Sequence, residues 1–256
     1  MKKNKQVRDA SQYDDKNYNY EKYWIGRDYE NACEEIAIRR LLKNKHFAVA
    51  VDVGGGYGRL CKIFQDYSDK VTLAEPSKKQ LELAKHYLGK NTKVDLLQLQ
   101  ANDLKFEDKS IDLLTMIRVI HHLPNPTAEF SELHRVLKDD GVLILEVANY
   151  SHFLNRIKFI LKHSKVPKEA IDIRSKKNRG SDVIPFVNHN PRTVMKQLAH
   201  AGFKVDKTLS VSNLRIQKLK TLIPLKILTF FEYLAQPVLA LSFFGPSIFF
   251  RVRKAK

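Results

Sequence analysis

The chain has 256 residues, 43% hydrophobic and 10% aromatic, with 45 Lys and Arg against 28 Asp and Glu, a formal net charge of +17. That apolar content builds a sizeable core and excludes wholesale disorder, and the length suits one large domain or one domain with an appendage. The two cysteines, Cys33 and Cys61, exclude a disulfide framework and a cysteine zinc site, and no metal site is expected; a reducing, cytoplasmic setting fits.

Basic residues open the chain with no apolar stretch behind them, so no signal peptide is expected. Tyr13, Tyr18, Tyr20, Tyr23, Trp24 and Tyr29 are too many rings for a solvated tail and predict packing on something. From Tyr29 to Lys43 the set Cys33, Ile36, Ala37 and Leu41 recurs at helical spacing. Phe47–Val53 reads as a buried parallel strand ending in glycines, and Leu60, Ile63, Phe64 and Tyr67 mark a helix after them.

The alternation continues. Val71–Glu75 predicts a strand, and a helix follows from a Ser77 N-cap to a Gly89 C′ residue. Strands are expected at Val94–Gln100, Ile111–Val119 and Gly141–Val147, the last preceded by a helix carrying Phe130, Leu133 and Leu137. Strands alternating with helices of this length predict an α/β fold with a doubly wound, mostly parallel, Rossmann-like sheet.

Past Tyr150 the pattern loosens. Ser151–Lys165 reads as an amphipathic helix, residues 166–189 as a loop or lid, and Asn190-Pro191 opens a helix that Gly202 closes. Tyr233–Phe250 is 18 residues without a charge, short of a membrane span and broken by Pro237 and Gly245-Pro246. A buried helix followed by a strand, Ser247–Arg253, is expected instead. The charge divides sharply: residues 1–150 hold 24 basic and 23 acidic side chains, residues 151–256 hold 21 and 5. Any polyanion argument therefore applies to the C-terminal part.

The most informative stretch is Asp52-Val53-Gly54-Gly55-Gly56-Tyr57-Gly58, between a strand and a helix. It lacks the third glycine of a dinucleotide fingerprint, Arg59 standing there, and lacks the Gly-Lys-Ser/Thr of a phosphate loop. Glu75 ends the second strand, where a carboxylate can accept both hydroxyl protons of a ribose. Asn102 and Asp103 follow the third strand, placed for the edge of an adenine. Together they fit an adenosine at the carboxyl ends of the strands, in a ligand without pyrophosphate.

At these residues the sequence resembles the class I S-adenosylmethionine-dependent methyltransferases, most closely the type 11, quinone-biosynthesis-like small-molecule group. The resemblance lies in VDVGGGYGRL (51–60), VTLAEPS (71–77), the stretch 100–126 and LHRVLKDDGVLILEVAN (133–149). It implies a seven-stranded sheet ending in an antiparallel pair, for which Phe203–Val211 and Ser247–Arg253 are the candidates. It also implies that Asp52 with Gly54, Gly55, Gly56 and Gly58 holds the amino-acid moiety of S-adenosyl-L-methionine. Glu75 would then hold the ribose; Asn102, Asp103 and Leu104 the adenine; and Arg118 would lie beside the cofactor. One domain is implied: residues 1–46 a cap and first helix, 47–150 the cofactor core, 151–200 a basic helical lid and substrate region, and 201–256 the final strands with an apolar helical insertion.

His121 and His122 follow the fourth strand and are the nearest candidates for a general base; a packing role is the alternative. His189 is a lid candidate, and the tyrosines of residues 13–29 either close over the cofactor or pack as a plain N-terminal helix. The Asp/Asn-Pro-Pro-Tyr/Phe motif of amino-methylating nucleic-acid enzymes is absent after the fourth strand, and neither cysteine suits C5 chemistry on a pyrimidine. Both weigh against base methylation and leave ribose or atypical RNA targets open; the resemblance implies a small-molecule substrate, apolar or membrane-associated. RNA methylation through the basic region and a non-catalytic binding protein are the alternatives. Residues 151–256 themselves admit three explanations: a solvated basic face, peripheral contact with an anionic membrane at its inner face, or RNA.

Overall fold

The structure, a computed structural model, describes residues 11–15, 20–90, 92–179 and 184–255. Tyr18 of the aromatic set and residues 180–183 of the expected lid lie outside the described residues. The elements begin with α1 (Ser11–Asp14), a 3-10 turn (Glu21–Trp24), α2 (Asp28–Leu41), β1 (Phe47–Val53), α3 (Cys61–Gln65), β2 (Ser68–Ala74), α4 (Lys78–Leu88) and β3 (Val94–Leu97). They continue through β4 (Ile111–Met116), a 3-10 turn (Ile120–His122), α5 (Thr127–Val136), β5 (Leu137–Ala148), α6 (Phe153–Leu161), β6 (Ile171–Asp172) and α7 (Lys176–Arg179). The rest are β7 (Val187–Asn188), α8 (Pro191–His200), β8 (Phe203–Val211), α9 (Gln217–Leu222), α10 (Leu225–Ala240) and β9 (Ser247–Lys254).

Seven strands form one sheet in the order β3-β2-β1-β4-β5-β9-β8, while β6 and β7 make a separate two-stranded ribbon. The first five strands run parallel; β9 lies antiparallel to β5 and β8 antiparallel to β9. β1 sits between β2 and β4, so the chain leaves it in opposite directions on its two sides. In open α/β sheets that switch point opens a crevice beyond the carboxyl ends of the strands. The sheet is packed on both faces, by Ile38, Leu41, Phe64 and Phe249 on one and by Phe130, Leu133, Leu198 and Phe250 on the other.

Local chemistry sets the element ends. The Ser77 hydroxyl accepts from Gln80 N at 3.1 Å, and Gly89, at φ 83°, ends α4. Asn190 caps α8 by accepting from Arg192 N at 3.1 Å, with Pro191 in its first turn and Gly202 at φ 82° beyond its end. Other boundaries depart from the periodicity. The helix after the glycines is a short one that stops before Tyr67, because β2 begins at Ser68. β4 ends at Met116, since Arg118 at φ 61° has left the extended region. β5 starts at Leu137, which pairs with Ile111 before a register shift carries the ladder to Leu113 and Val142. The expected loop at 166–189 contains the β6–β7 ribbon.

The largest correction concerns α10, read from its composition as a buried helix. It buries only Leu228, Glu232, Gln236 and Ala240, one residue every four, while Phe230, Phe231, Leu234 and Val238 stand exposed. Polar chemistry fixes that orientation. Glu232 accepts from Tyr29 Oη at 2.8 Å, Ser212 N at 2.8 Å and Asn213 N at 3.0 Å, and Gln236 donates to the Cys33 carbonyl at 3.0 Å. Pro237 lies inside the helix and has no N–H for the Tyr233 carbonyl one turn back; the Arg40 guanidinium donates to that oxygen instead. Among the described residues no helix is long and apolar enough to cross a membrane.

Replacing Glu232 by Ala leaves two backbone donors and a tyrosine hydroxyl without an acceptor. We expect a loss of about 3 kcal/mol or more in urea unfolding at unchanged slope, whereas a loss below about 1 kcal/mol would show that α10 is not held this way.

Candidate functional site

The glycine loop is fastened by carboxylates on two neighbouring strands. Asp52, near the end of β1, is fully enclosed; it accepts from Thr115 Oγ1 of β4 at 2.7 Å and from Cys61 Sγ at 3.8 Å. Burial pushes its pKa up to about 6, against the lowering effect of the Thr115 hydrogen bond. Glu75 follows β2 and binds two backbone donors, Gly56 N on one oxygen and Ser77 N on the other, both at 2.9 Å. Burial raises its pKa to about 7 although both N–H groups favour the charged form.

The loop geometry requires glycine at several points for different reasons. A Cβ at Gly55 would lie 2.2 Å from the Asp52 carboxylate and 2.6 Å from Leu73, so no side chain fits. Gly54 and Gly56 adopt φ of 68° and 60°, the left-handed region, and Gly54 N closes the turn on the Ala74 carbonyl at 2.7 Å. Asp52, Gly54, Gly55, Ile117, Arg118 and Arg59 line a small cleft, with Tyr20 on its wall.

A buried ion cluster stands beside the cleft. Glu34 of α2 receives Arg59 on one oxygen and Arg118 on the other, the second at 3.1 Å. Arg118 also donates to the Tyr23 hydroxyl, its backbone N donates to Glu146 at 3.1 Å, and its Nε is buried with no partner among the described residues. The Arg59 guanidinium carbon lies over Trp24 at 3.7 Å from the ring centroid. Sequence reasoning missed Glu34, Arg59 and Glu146. One signal for Glu34 was present: it falls on the buried stripe of α2 with Ile38 and Leu41, an odd place for a lone carboxylate.

Of the described N-terminal rings, Tyr20, Tyr23 and Trp24 pack on this site, whereas Tyr29 packs on Glu232 of α10. Tyr20 stacks on Tyr23 at 5.8 Å and its edge meets Gly56. Asp14 accepts from Ser77 Oγ at 2.6 Å and from Lys79 N at 3.1 Å, which fixes the segment to the start of α4.

Asn102 and Asp103 are exposed, Asp103 pairing with Lys105 at 2.8 Å, while the Leu104 side chain is buried and its N donates to Glu132 at 2.8 Å. The histidines are enclosed. His121 packs on Phe186 at 4.4 Å, and burial holds its pKa well below the usual imidazole range. His122 Nδ1 faces the Pro185 carbonyl at 2.9 Å, so that nitrogen carries the hydrogen and Nε2 accepts from the Tyr13 hydroxyl at 2.7 Å. Burial lowers its pKa to about 4. Both rings are neutral, and both nitrogens of His122 are engaged. His189, the lid candidate, donates to the Ile120 carbonyl at 2.9 Å and is buried beneath the ribbon.

Comparison with known proteins adds the family. Residues 51–145 match the family described as a methyltransferase domain. Over that segment the chain is similar to the class I, type 11 S-adenosylmethionine-dependent methyltransferases. It is 25% identical over 177 residues to a ubiquinone biosynthesis O-methyltransferase of Pelagibacter ubique, covering 63% of this chain and 73% of that one. It is 29% identical over 100 residues to a tRNA U34 carboxymethyltransferase of Saccharophagus degradans, covering 38% of this chain and 31% of that one. In fold it matches an S-adenosylmethionine-dependent methyltransferase from Mesorhizobium loti with a TM-score of 0.59, 16% identity, and coverage of 88% and 100%. The matched family segment runs from β1 into β5 and holds the glycine loop, Glu75, residues 102–104 and Arg118. The partners of Arg118 on Tyr23 and Glu34 lie before it.

The two central glycines of the methyltransferase loop separate by stability. Gly56→Ala is expected to cost about 1 kcal/mol for its left-handed backbone and to stay folded. Gly55→Ala, which meets Asp52, is expected to cost about 3 kcal/mol, read as thermal unfolding by circular dichroism. Equal losses would contradict the packing described.

Proposed function

We propose that the chain transfers a methyl group from S-adenosyl-L-methionine to a small apolar acceptor by in-line displacement. The observation that carries this reading is the convergence of Asp52, Glu75 and the glycine turn at the switch point of the sheet, around buried polar atoms that lack partners. Among the described residues the Arg118 Nε and the whole side-chain amide of Gln80, which lies against Gly56, have no hydrogen-bond partner. A bound polar ligand satisfies such groups.

In this reading Asp52 with Gly54, Gly55, Gly56 and Gly58 holds the amino-acid end of the cofactor, Glu75 the ribose hydroxyls, and Asn102, Asp103 and Leu104 the adenine. Arg118 flanks the sulfonium end. The cofactor, when bound, supplies a methyl group already activated on sulfur. The side chains then need only orient the acceptor and exclude water, and such positioning can lower a barrier by roughly 7–11 kcal/mol. For an acceptor that carries a proton, His122 is the base, once the Tyr13 hydroxyl leaves its Nε2; His121 packs behind it.

Residues 1–46 cap the site, 47–150 hold the cofactor, 151–200 cover the acceptor side and 201–256 complete the sheet. The partners are the small acceptor and, through residues 151–256, an anionic membrane surface. An apolar acceptor is supported by the quinone-biosynthesis relative and by the unburied apolar residues of α6, which leaves the end of β5 beside the cleft.

Two measurements test the assignment. Asp52→Ala and Glu75→Ala are expected to abolish calorimetric binding of S-adenosylmethionine while circular dichroism still shows the fold; unchanged affinity in both would overturn it. The pH dependence has a definite sign. Glu75 accepts from the ribose hydroxyls and Asp52 faces the cationic amino-acid end, both as carboxylates, and both groups titrate upward of their usual range, Glu75 at about 7 and Asp52 at about 6. Affinity should therefore fall as pH drops below 7, by about tenfold per unit, and more steeply below 6. A flat profile from pH 8 to pH 5 would contradict the roles given to them.

A further inference from the structure

The helices that follow the cofactor core wear their apolar residues outward. On α6 no side chain is buried, and Leu154, Ile160 and Leu161 are 61%, 71% and 74% exposed. On α10 the arrangement is inverted: Glu232 and Gln236 point inward to hydrogen bonds, while Phe230 and Val238 face out at 59% and 64% exposed. The helix turns its apolar side away from the core because its inward side is claimed by polar contacts. Exposed apolar residues grouped along a helix in this way mark an interaction face.

The start of α6 is tied to the loop that follows α10. Phe153, at the start of α6, stacks on Phe244, just past the end of α10, at 4.8 Å, and its N–H donates to the Phe244 carbonyl at 2.9 Å. The charges that these helices themselves expose have one sign. The only carboxylate on α6, α9 and α10 is Glu232, which is buried; Arg156, Lys158, Lys218 and Lys226 are the charges beside the apolar residues. A second copy of the chain would bring a like-charged rim against it, which disfavours self-association there. An apolar face framed by Lys and Arg, on helices unable to cross a bilayer, is the composition of helices lying in the plane of an anionic leaflet.

The geometry points to α6 and α10 as a joint docking face that seats in the headgroup and acyl boundary of an anionic membrane. The inference rests on the proposed reading for its account of the acceptor: α6 begins beside the acceptor side, so a seated face presents that side to molecules dissolved in the lipid. Apolar insertion, with charge as a rim, is what distinguishes it from simple adsorption of a basic protein.

The test is co-sedimentation of the full chain with vesicles of phosphatidylcholine alone and of equimolar phosphatidylcholine and phosphatidylglycerol. The wild type should sediment with the mixed vesicles and stay in solution with the neutral ones. A variant with Leu154→Ser, Ile160→Ser, Phe230→Ser and Val238→Ser should lose at least about a hundredfold in partitioning. Its circular dichroism and its affinity for S-adenosylmethionine should not change. No difference between the two vesicle types, or wild-type partitioning by the variant, overturns the inference. So does a wild-type dimer in size-exclusion chromatography that the variant dissolves, which would make the face a contact between copies. Vesicle binding by a protein that fails to bind S-adenosylmethionine would leave the docking face standing and remove the proposed function, so the two failures are separable.

Discussion

Two backbone N–H groups, Gly56 and Ser77, converge on the carboxylate of Glu75, and this junction fixes the geometry of the site. One donor belongs to the turn after β1, the other to the residue that caps α4. The carboxylate thereby ties the ends of two strands to the start of a helix. Burying it is unfavourable, which is why its pKa rises to about 7, and the two donors offset only part of that burden. A turn held this way has its N–H groups and its left-handed glycines already arranged. Little ordering remains when a ligand arrives.

A second constraint works from the other side of the cleft. Glu34 gathers Arg59 and Arg118 into one buried cluster, and Tyr23 and Trp24 cover it. Breaking such a cluster leaves an uncompensated charge in the interior, so α2 and the aromatic turn before it are bound to the position of Arg118. That residue sits at φ 61°, and local strain of this kind concentrates at functional sites. The charge of the molecule is arranged to match. The near-neutral first 150 residues carry these internal carboxylate and guanidinium contacts, while the excess of positive charge lies beyond them, in residues 151–256.

Much of the sheet was legible because its strands are continuous apolar runs with clear punctuation. Phe47–Val53 ends at glycines, and Ser77, Gly89, Asn190 and Gly202 each occupy the cap that their chemistry predicts. The carboxylates at positions 52 and 75 were legible for the same reason, since strand ends place them. What stayed hidden depends on contacts far apart in sequence. The pairing of Glu34 with Arg59 and Arg118 has no local signature, and neither does the enclosure of His122 by Tyr13 and Pro185. The orientation of α10 misled most. Hydropathy counts its apolar residues and predicts burial, whereas Glu232 meets the backbone of Ser212 and Asn213 and turns the helix over. A few satisfied polar groups outweighed a larger number of apolar ones.

The chain thus combines a methyltransferase domain, a cleft at the switch point of its sheet, and an outer layer unlike the core in charge and in the facing of its apolar residues. The central claim is that the cleft methylates a small apolar molecule. The most direct measurement supplies the purified protein with methyl-labelled S-adenosylmethionine and separated lipid, metabolite, RNA and protein fractions of a cell extract. The account predicts label in an apolar small molecule recovered with the lipid or metabolite fraction. Label confined to RNA or protein, or transfer to none of the fractions, would contradict it.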